Sequence, residues 1–315
     1  MSKPTEDALW PRAAAWLRAI DASGSGDASR AGGASAEGCD LAVYGVRANK
    51  TSISKTGANH TPTAIREALK RYSTFAWSTE TDIGSVKALD LGDSLFPDSP
   101  EGEQVTSDIA QSAVSASKLA VALGGDNSVT FAAMRGAFAG DLSRAGLITF
   151  DAHHDLRDGI SNGSPVRRLV EAGLPGRNIV QIGIADFSNS PQYAARAKEL
   201  GIHVIPRTAL RRENPAEIWR QALAHLEGVG GVDGIHVDFD VDVCDRAFVP
   251  GCPAAAPGGI SADELREFAN LAGATAGVKS MDITEIDATA DAPDGRTVRL
   301  GALLILEAAA GLARR

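Results

Sequence analysis

Residues 237–252, Val-Asp-Phe-Asp-Val-Asp-Val-Cys-Asp-Arg-Ala-Phe-Val-Pro-Gly-Cys, constrain this chain more than any other stretch. They hold Asp238, Asp240, Asp242 and Asp245, the first three alternating with Phe239 and Val241. Gly234-Ile-His-Val237 predicts a buried strand before them, and the Pro-Gly-Cys-Pro run after them predicts a loop. A side-chain period of two sets Asp238, Asp240 and Asp242 on one face of the strand end. Like charges so placed raise one another's pKa unless a cation compensates them, and a hard divalent metal with oxygen ligands is the simplest such cation. An acidic strand end fraying into water is the plainer alternative.

A second stretch argues against the plainer alternative. Gly146-Leu-Ile-Thr-Phe150 is another apolar run ending in metal-ligand chemistry, Asp151, His153, His154 and Asp155. Pleating puts Asp151 and His153 on one side, and a turn after the strand brings Asp155 back toward them. A lone histidine at a strand end is usually structural. Two between two aspartates offer mixed nitrogen and oxygen ligation suited to Mn²⁺, Fe²⁺ or Zn²⁺. Together the two strand ends carry enough carboxylates for a binuclear site.

The rest of the composition bounds the class. A chain of 315 residues has room for two domains, though α/β folds of this length are often single. Its net charge of −9 argues against nucleic acid and offers no basic patch to a membrane surface. No apolar run approaches the roughly 20 residues that span a bilayer. The N-terminal Met-Ser-Lys-Pro-Thr-Glu-Asp lacks the apolar centre of a signal peptide. Three cysteines, Cys39, Cys244 and Cys252, are too few for a disulfide framework, so a cytoplasmic location is expected. Cys244 and Cys252 flank the acidic motif; small buried packing is the plain account of them, a redox role the alternative.

Taken in order, residues 7–20 predict a short helix interrupted by Pro11, and residues 22–39 a mobile Ala/Ser/Gly-rich loop. Residues 1–40 are therefore expected as an N-terminal helix and flexible segment, and 41–315 as the main domain. Strands are expected at Leu41–Val46, Val86–Leu91, Ile179–Ile184, His203–Ile205, Gly234–Phe239 and Lys279–Ile283. Thr61 is expected to cap a helix running to Tyr72, with Pro62 at its first position. A long helix over Glu103–Ala122, with a short strand over its last residues as the alternative, runs toward Gly124-Gly-Asp-Asn127, a glycine turn that delivers Asn127. Helices at Pro191–Leu200, Pro215–Glu227, Ala262–Ala272 and Leu300–Ala313 alternate with the strands. Such alternation implies a parallel sheet covered on both faces, with ligands at the carboxyl ends of its strands. Asn127, Asp151 to Asp155, Asp238 to Asp245 and Glu285 all fall at those ends.

With these segments in hand, the chain resembles the ureohydrolase family of arginase and agmatinase from about Leu41 onward. The family's motifs read here as Gly124-Gly-Asp-Asn127, Asp151-Ala-His-His-Asp155, Asp238-Phe-Asp-Val-Asp-Val-Cys-Asp-Arg246 and Asp282-Ile-Thr-Glu285. The resemblance implies a single three-layer α/β/α domain with a mostly parallel sheet. It also implies two Mn²⁺ per subunit held by Asp151, His153, Asp155, Asp240 and Asp242, with Asp151 and Asp240 bridging. Catalysis would fall to Asp155 and Glu285, and the subunits would assemble as trimers or hexamers.

Five positions depart from the family pattern. Asn127 stands where the first histidine ligand belongs, offering an amide oxygen instead. Asp238 replaces a serine, Arg246 a proline, and Asn162 the residue that shuttles protons in arginase. Arg157 occupies the place of an asparagine that holds the substrate's α-carboxylate in arginase. Together these resemble the formimidoylglutamase branch of histidine degradation, which hydrolyses N-formimidoyl-L-glutamate to L-glutamate and formamide. That substrate carries two carboxylates, and Arg157, Arg167, Arg168 and Arg246 lie near the site in sequence, Arg157 foremost. Arg157, Asn162 and Glu285 are thus the expected substrate contacts. An agmatinase or other guanidino-compound hydrolase is the alternative within the family. A catalytically silent metal-binding regulatory subunit is the alternative outside enzymes.

Overall fold

Each apolar run that precedes a motif becomes a strand of one sheet. The computed structural model describes residue 7, residues 9–20 and residues 38–315. Its strands are β1 (Arg18–Ala19), β2 (Leu41–Val46), β3 (Phe75–Ala76), β4 (Thr81–Asp82), β5 (Ala88–Ser94), β6 (Leu119–Leu123), β7 (Ala145–Phe150), β8 (Ile179–Ile184), β9 (His203–Pro206), β10 (Gly234–Asp240) and β11 (Val278–Thr284). Its helices are α1 (Ala13–Trp16), α2 (Thr61–Ala68), α3 (Pro100–Ala116), α4 (Val129–Ala137), α5 (Pro165–Glu171), α6 (Pro191–Glu199), α7 (Arg207–Leu210), α8 (Pro215–Gly228), α9 (Ala262–Ala274) and α10 (Arg296–Leu312).

Apart from the small antiparallel β3–β4 hairpin, the strands form one nine-stranded sheet in the order β1-β5-β2-β6-β11-β10-β7-β8-β9. Every neighbouring pair in it is parallel. Parallel neighbours need crossovers, so helices cover both faces and give the expected α/β/α layering. Several helices start where a capping side chain precedes a proline. Ser99, Ser190 and Asn214 each accept an N–H of the first turn, ahead of Pro100, Pro191 and Pro215. Among the described residues no helix is long and apolar enough to cross a membrane.

Strand pleating sorts the core into two layers. Leu41, Val43, Val121, Phe150, Val237, Phe239, Met281 and Ile283 pack on one face against Trp219, Phe268, Leu300 and Leu304 of α8, α9 and α10. Phe150 stacks on Phe239 with ring centroids 4.9 Å apart and meets Phe268 at 4.5 Å, contacts each worth about 0.5–1.5 kcal/mol beyond their buried area. The intervening residues face the other layer. Toward the flanks these are Ala42, Ala120 and Ala122 against α3 and α4, and Leu147 and Ile179 against α4 to α6. In the middle they are polar. His236 pairs in register with Ser280, Asp238 with Asp282, and Asp240 with Thr284.

The structure departs from the sequence expectations at several boundaries. Among the described residues of 7–20 the one-turn α1 is the only helix, followed by β1 on the edge beside β5. Trp16 ties this segment to the sheet by donating its indole N–H to the Val86 carbonyl. Of the loop expected over 22–39, residues 22–37 lie outside the described residues. The α3 helix stops at Ala116, not Ala122, because residues 119–123 are buried on both faces as β6. Thr61 is the first residue of α2 rather than its cap; its hydroxyl donates to the Ile286 carbonyl instead.

Candidate metal centre and substrate cavity

The four motif-bearing strands are neighbours at the middle of the sheet, in the order β6, β11, β10, β7. Their carboxyl ends therefore open onto one place, as ligand sites of open parallel sheets do. Asp151 follows β7 directly, Asp240 ends β10, and Glu285 follows β11. The turn after β6 brings its backbone against residue 48. A Cβ on Gly125 would lie 1.9 Å from the Ala48 carbonyl oxygen, so only glycine fits. Gly125 in turn accepts the Glu285 N–H.

Asp242 arrives by a different route from the one its spacing predicts. The strand ends at Asp240, and residues Val241–Val243 form a 3₁₀ turn whose start Asp240 caps by accepting the Asp242 N–H at 2.8 Å. That turn swings Asp242 toward β7, where its Oδ1 accepts the Ala152 N–H at 2.9 Å. Asp155 and Glu285 both hold left-handed backbone conformations, φ 51° and 63°. Non-glycine residues seldom adopt these, and they concentrate at functional sites.

The ligand atoms of Asp151, His153 and Asp242 all lie within 4.8 Å of one another. His153 Nδ1 sits 2.7 Å from Asp242 Oδ2 and 3.4 Å from Asp151 Oδ1. Asp151, Asp155, Asp240, Asp242 and Glu285 are all buried, and Asp151 Oδ2 has no hydrogen-bond partner among the described residues. Burial first, then the neighbouring carboxylates, drive the Asp151 and Asp240 carboxyls far above the usual range. Burial, with Asp242 adding to it, lifts Asp155 to about 7, and burial with Asp126 lifts Glu285 to about 8. Burial would lower His153, but Asp242, Asp155 and Asp240 overcome it and raise the imidazole to about 9. An imidazolium set between carboxylates is a partial substitute for a cation. This donor set, hard oxygens with one imidazole, fits divalent manganese.

The other expected residues sort by their partners. Asn162 donates from Nδ2 to Glu285 Oε1 at 2.9 Å, which also accepts the Asn127 N–H at 2.8 Å. Asn127 turns its amide nitrogen, not its oxygen, toward the carboxylates: Nδ2 donates to Asp155 Oδ2 at 2.6 Å. Of the four arginines, Arg167 pairs with Glu171, Arg168 with Glu103, and Arg246 donates to the Cys252 and Ala255 carbonyls. Arg157 alone of these lines the cavity above the carboxylates, and its guanidinium makes no hydrogen bond or ion pair with the described residues. Asp245 is spent on the loop, accepting the Ala247 and Gly258 N–H groups. His154 is a buried structural histidine, 2.7 Å from Gln181 Oε1. Cys244 and Cys252 are buried thiols whose pKa burial pushes upward, the environment of packing rather than reactive cysteines.

The cavity holds about 260 Å³ and is lined by His153, Asp155, Asp240, Asp242 and Glu285 together with Arg157 and Asn162. Ser188, Asn189, Ser190 and Tyr193 add a further wall. Sequence reasoning missed this wall, which follows β8 and carries no ionisable cluster; the Ser190-Pro191 helix start was its only signal. Arg207 was missed as well. It lies buried beneath the acidic turn, donating to the Asp242 and Val243 carbonyls.

Comparison with known proteins bears on the fold and the family. The model of the Arginase family matches residues 39–311. The formimidoylglutamase of Halalkalibacterium halodurans is 37% identical over 258 residues, spanning 79% of this chain and 80% of that protein. The crystal structure of formimidoylglutamase from Bacillus subtilis superimposes with a TM-score of 0.87 at 29% identity, over 98% of this chain and 94% of that one. The Trypanosoma cruzi formiminoglutamase structure with Mn²⁺ shares the fold, with a TM-score of 0.80 at 23% identity over 97% of this chain and 99% of that one. On a strand-end carboxylate site and a match spanning nearly all of the main sheet, this chain belongs to the arginase family.

Proposed function

We propose that this protein is a manganese-dependent hydrolase that converts N-formimidoyl-L-glutamate and water to L-glutamate and formamide. The observation that carries the substrate is the pairing, in one cavity, of a buried carboxylate cluster with the guanidinium of Arg157, which has no partner among the described residues. Relatives named for this activity, at 37% and 33% identity, support it. Manganese in the Trypanosoma cruzi structure supports the metal.

Asp151, His153, Asp155, Asp240 and Asp242 would hold two manganese ions, which when bound polarise the formimidoyl group and acidify water at the site. Arg157 would take a substrate carboxylate through its two-pronged donor edge. Glu285, whose Oε1 is already held by Asn127 and Asn162, would accept from the formimidoyl nitrogens with its other oxygen. Asp155 would accept a hydrogen bond from the attacking water and pass a proton to the departing glutamate nitrogen. Water oxygen bonds to the formimidoyl carbon, the bond from that carbon to the glutamate nitrogen breaks, and the carbon leaves as formamide. Assembly into trimers or hexamers belongs to the same reading, and light scattering tests it.

The test is turnover of Mn²⁺-loaded protein on formimidoyl-glutamate, arginine, agmatine and guanidinobutyrate. Formamide from the first substrate, with no urea from the others, is expected. Urea from a guanidino compound would assign the cavity to the agmatinase-type alternative. No product from any of the four would favour the silent regulatory subunit.

A further inference from the structure

Two departures from the family motifs, Asn127 and Asp238, are not explained by metal ligation, and the fold joins them. Between them stands Thr284, the last residue of β11. Its Oγ1 lies 2.8 Å from Asn127 Oδ1 and 3.5 Å from Asp238 Oδ1. From the other side Thr130 Oγ1 donates to the same amide oxygen at 3.0 Å. Asn127, Thr130, Asp238 and Thr284 are all buried. A carboxamide oxygen has two acceptor sites, and two threonine hydroxyls fill both.

We infer that Thr284 is a positioning residue: with Thr130 it locks the Asn127 carboxamide so that its NH₂ group, not its oxygen, faces the site and holds Asp155. The reversed amide would set its oxygen 2.6 Å from Asp155 Oδ2, acceptor against acceptor. It would also turn both threonine hydroxyls away from their acceptor. Thr284 could then accept from the amide nitrogen, but its O–H would have only Asp238 at 3.5 Å to donate to, a long contact. The lock matters because Asn127 touches both carboxylates assigned to the chemistry, Asp155 through its side chain and Glu285 through its backbone N–H. Asn127 thus acts in place of a ligand as the spacer between them. Behind Thr284 the polar strip is itself fixed, with Asp282 Oδ2 lying 3.0 Å from His236 Nε2 and Ser280 Oγ 2.7 Å from His236 Nδ1. The roles of Asp155 and Glu285 rest on the function proposed above.

The test uses Thr284→Val, which keeps the side chain's shape and removes the hydroxyl, and Thr284→Ser, which keeps the hydroxyl. Each is made in the full chain, alone and combined with Asn127→Ala. Thr284→Val is expected to lower kcat about tenfold with KM nearly unchanged, and to weaken Mn²⁺ affinity of the metal-free protein by about tenfold. Thr284→Ser should restore both. In the Asn127→Ala background Thr284→Val should add less than about twofold, because the group it acts through is gone. Wild-type values in Thr284→Val, or an equal loss with and without Asn127, would overturn the inference. Should Thr284→Val fail to fold, Thr130→Val puts the same question from the other side of the amide. The Mn²⁺ titration needs no substrate, so failure to hydrolyse formimidoyl-glutamate would remove the substrate assignment and leave this test in force.

Discussion

Strands β10 and β11 turn opposite chemistries to the two helix layers. On one face Val237, Phe239, Met281 and Ile283 pack into the aromatic and aliphatic core beside α8 to α10. On the other, His236, Asp238, Ser280 and Asp282 are equally buried but polar. The first face has the composition that stabilises folds, through area removed from water. The second costs stability, because burying carboxylates is unfavourable unless they are paired, protonated or bound to a cation. The two faces share a backbone, so the difference is not one of local structure. It lies in where the faces lead: the polar strip runs directly into Asp240, Thr284 and Glu285. One face makes the sheet stable, and the other makes its end reactive.

Variants can break that division. The largest effect is expected at the reactive end, where Asp240→Ala should abolish Mn²⁺ binding and formamide release together, read by calorimetry and product assay. Turnover surviving in that variant would remove Asp240 from the site. On the apolar face Phe239→Ala should lower unfolding free energy by about 3–5 kcal/mol, with and without metal, while leaving Mn²⁺ affinity intact. Denaturant titration checks it, and a large loss of metal affinity would mean the faces are not separable.

Arg157→Ala sharpens the assignment within the cavity. Losing one charge-assisted contact should raise KM about 10- to 100-fold with kcat little altered. An unchanged KM would leave the substrate's carboxylates to the Ser188–Tyr193 wall.

The division also bears on stability against pH. In the metal-free protein Asp155 titrates near 7, Glu285 near 8 and His153 near 9, all above their usual values. A raised folded pKa contributes stability at low pH that is lost as pH climbs through the folded value. The melting temperature of metal-free protein should therefore fall between about pH 5 and pH 9, and Mn²⁺ should cancel the fall. A flat metal-free profile would contradict the cost of burying these site groups.

Much of this was legible in the sequence because the chemistry is concentrated in short runs after apolar strands. Asp151-Ala-His-His-Asp155 and Phe239-Asp-Val-Asp242 announce ligands by type and spacing, and alternation with helices gives the parallel sheet. Strand order was not legible, since no local signal says that β11 inserts between β6 and β10. Neither was the route of Asp242, because strand alternation and a 3₁₀ turn both place a carboxylate two residues after Asp240. Motif position already set Arg157 ahead of the other arginines, but the partner of Arg168 was not legible, since Glu103 lies far off in the chain. Asn127 shows the same limit. Its identity suggested an amide oxygen ligand, while its orientation depends on Thr130 and Thr284, whose hydroxyls give no motif.

The most direct measurement of the central claim is calorimetric titration of Mn²⁺ into metal-free protein at pH 8, in buffers of different ionisation enthalpy. Two ions per chain are expected to bind with net proton release, as His153 and the raised carboxyls give up protons to make room for metal. Binding of no ion, or binding that persists unchanged in Asp240→Ala, would contradict it.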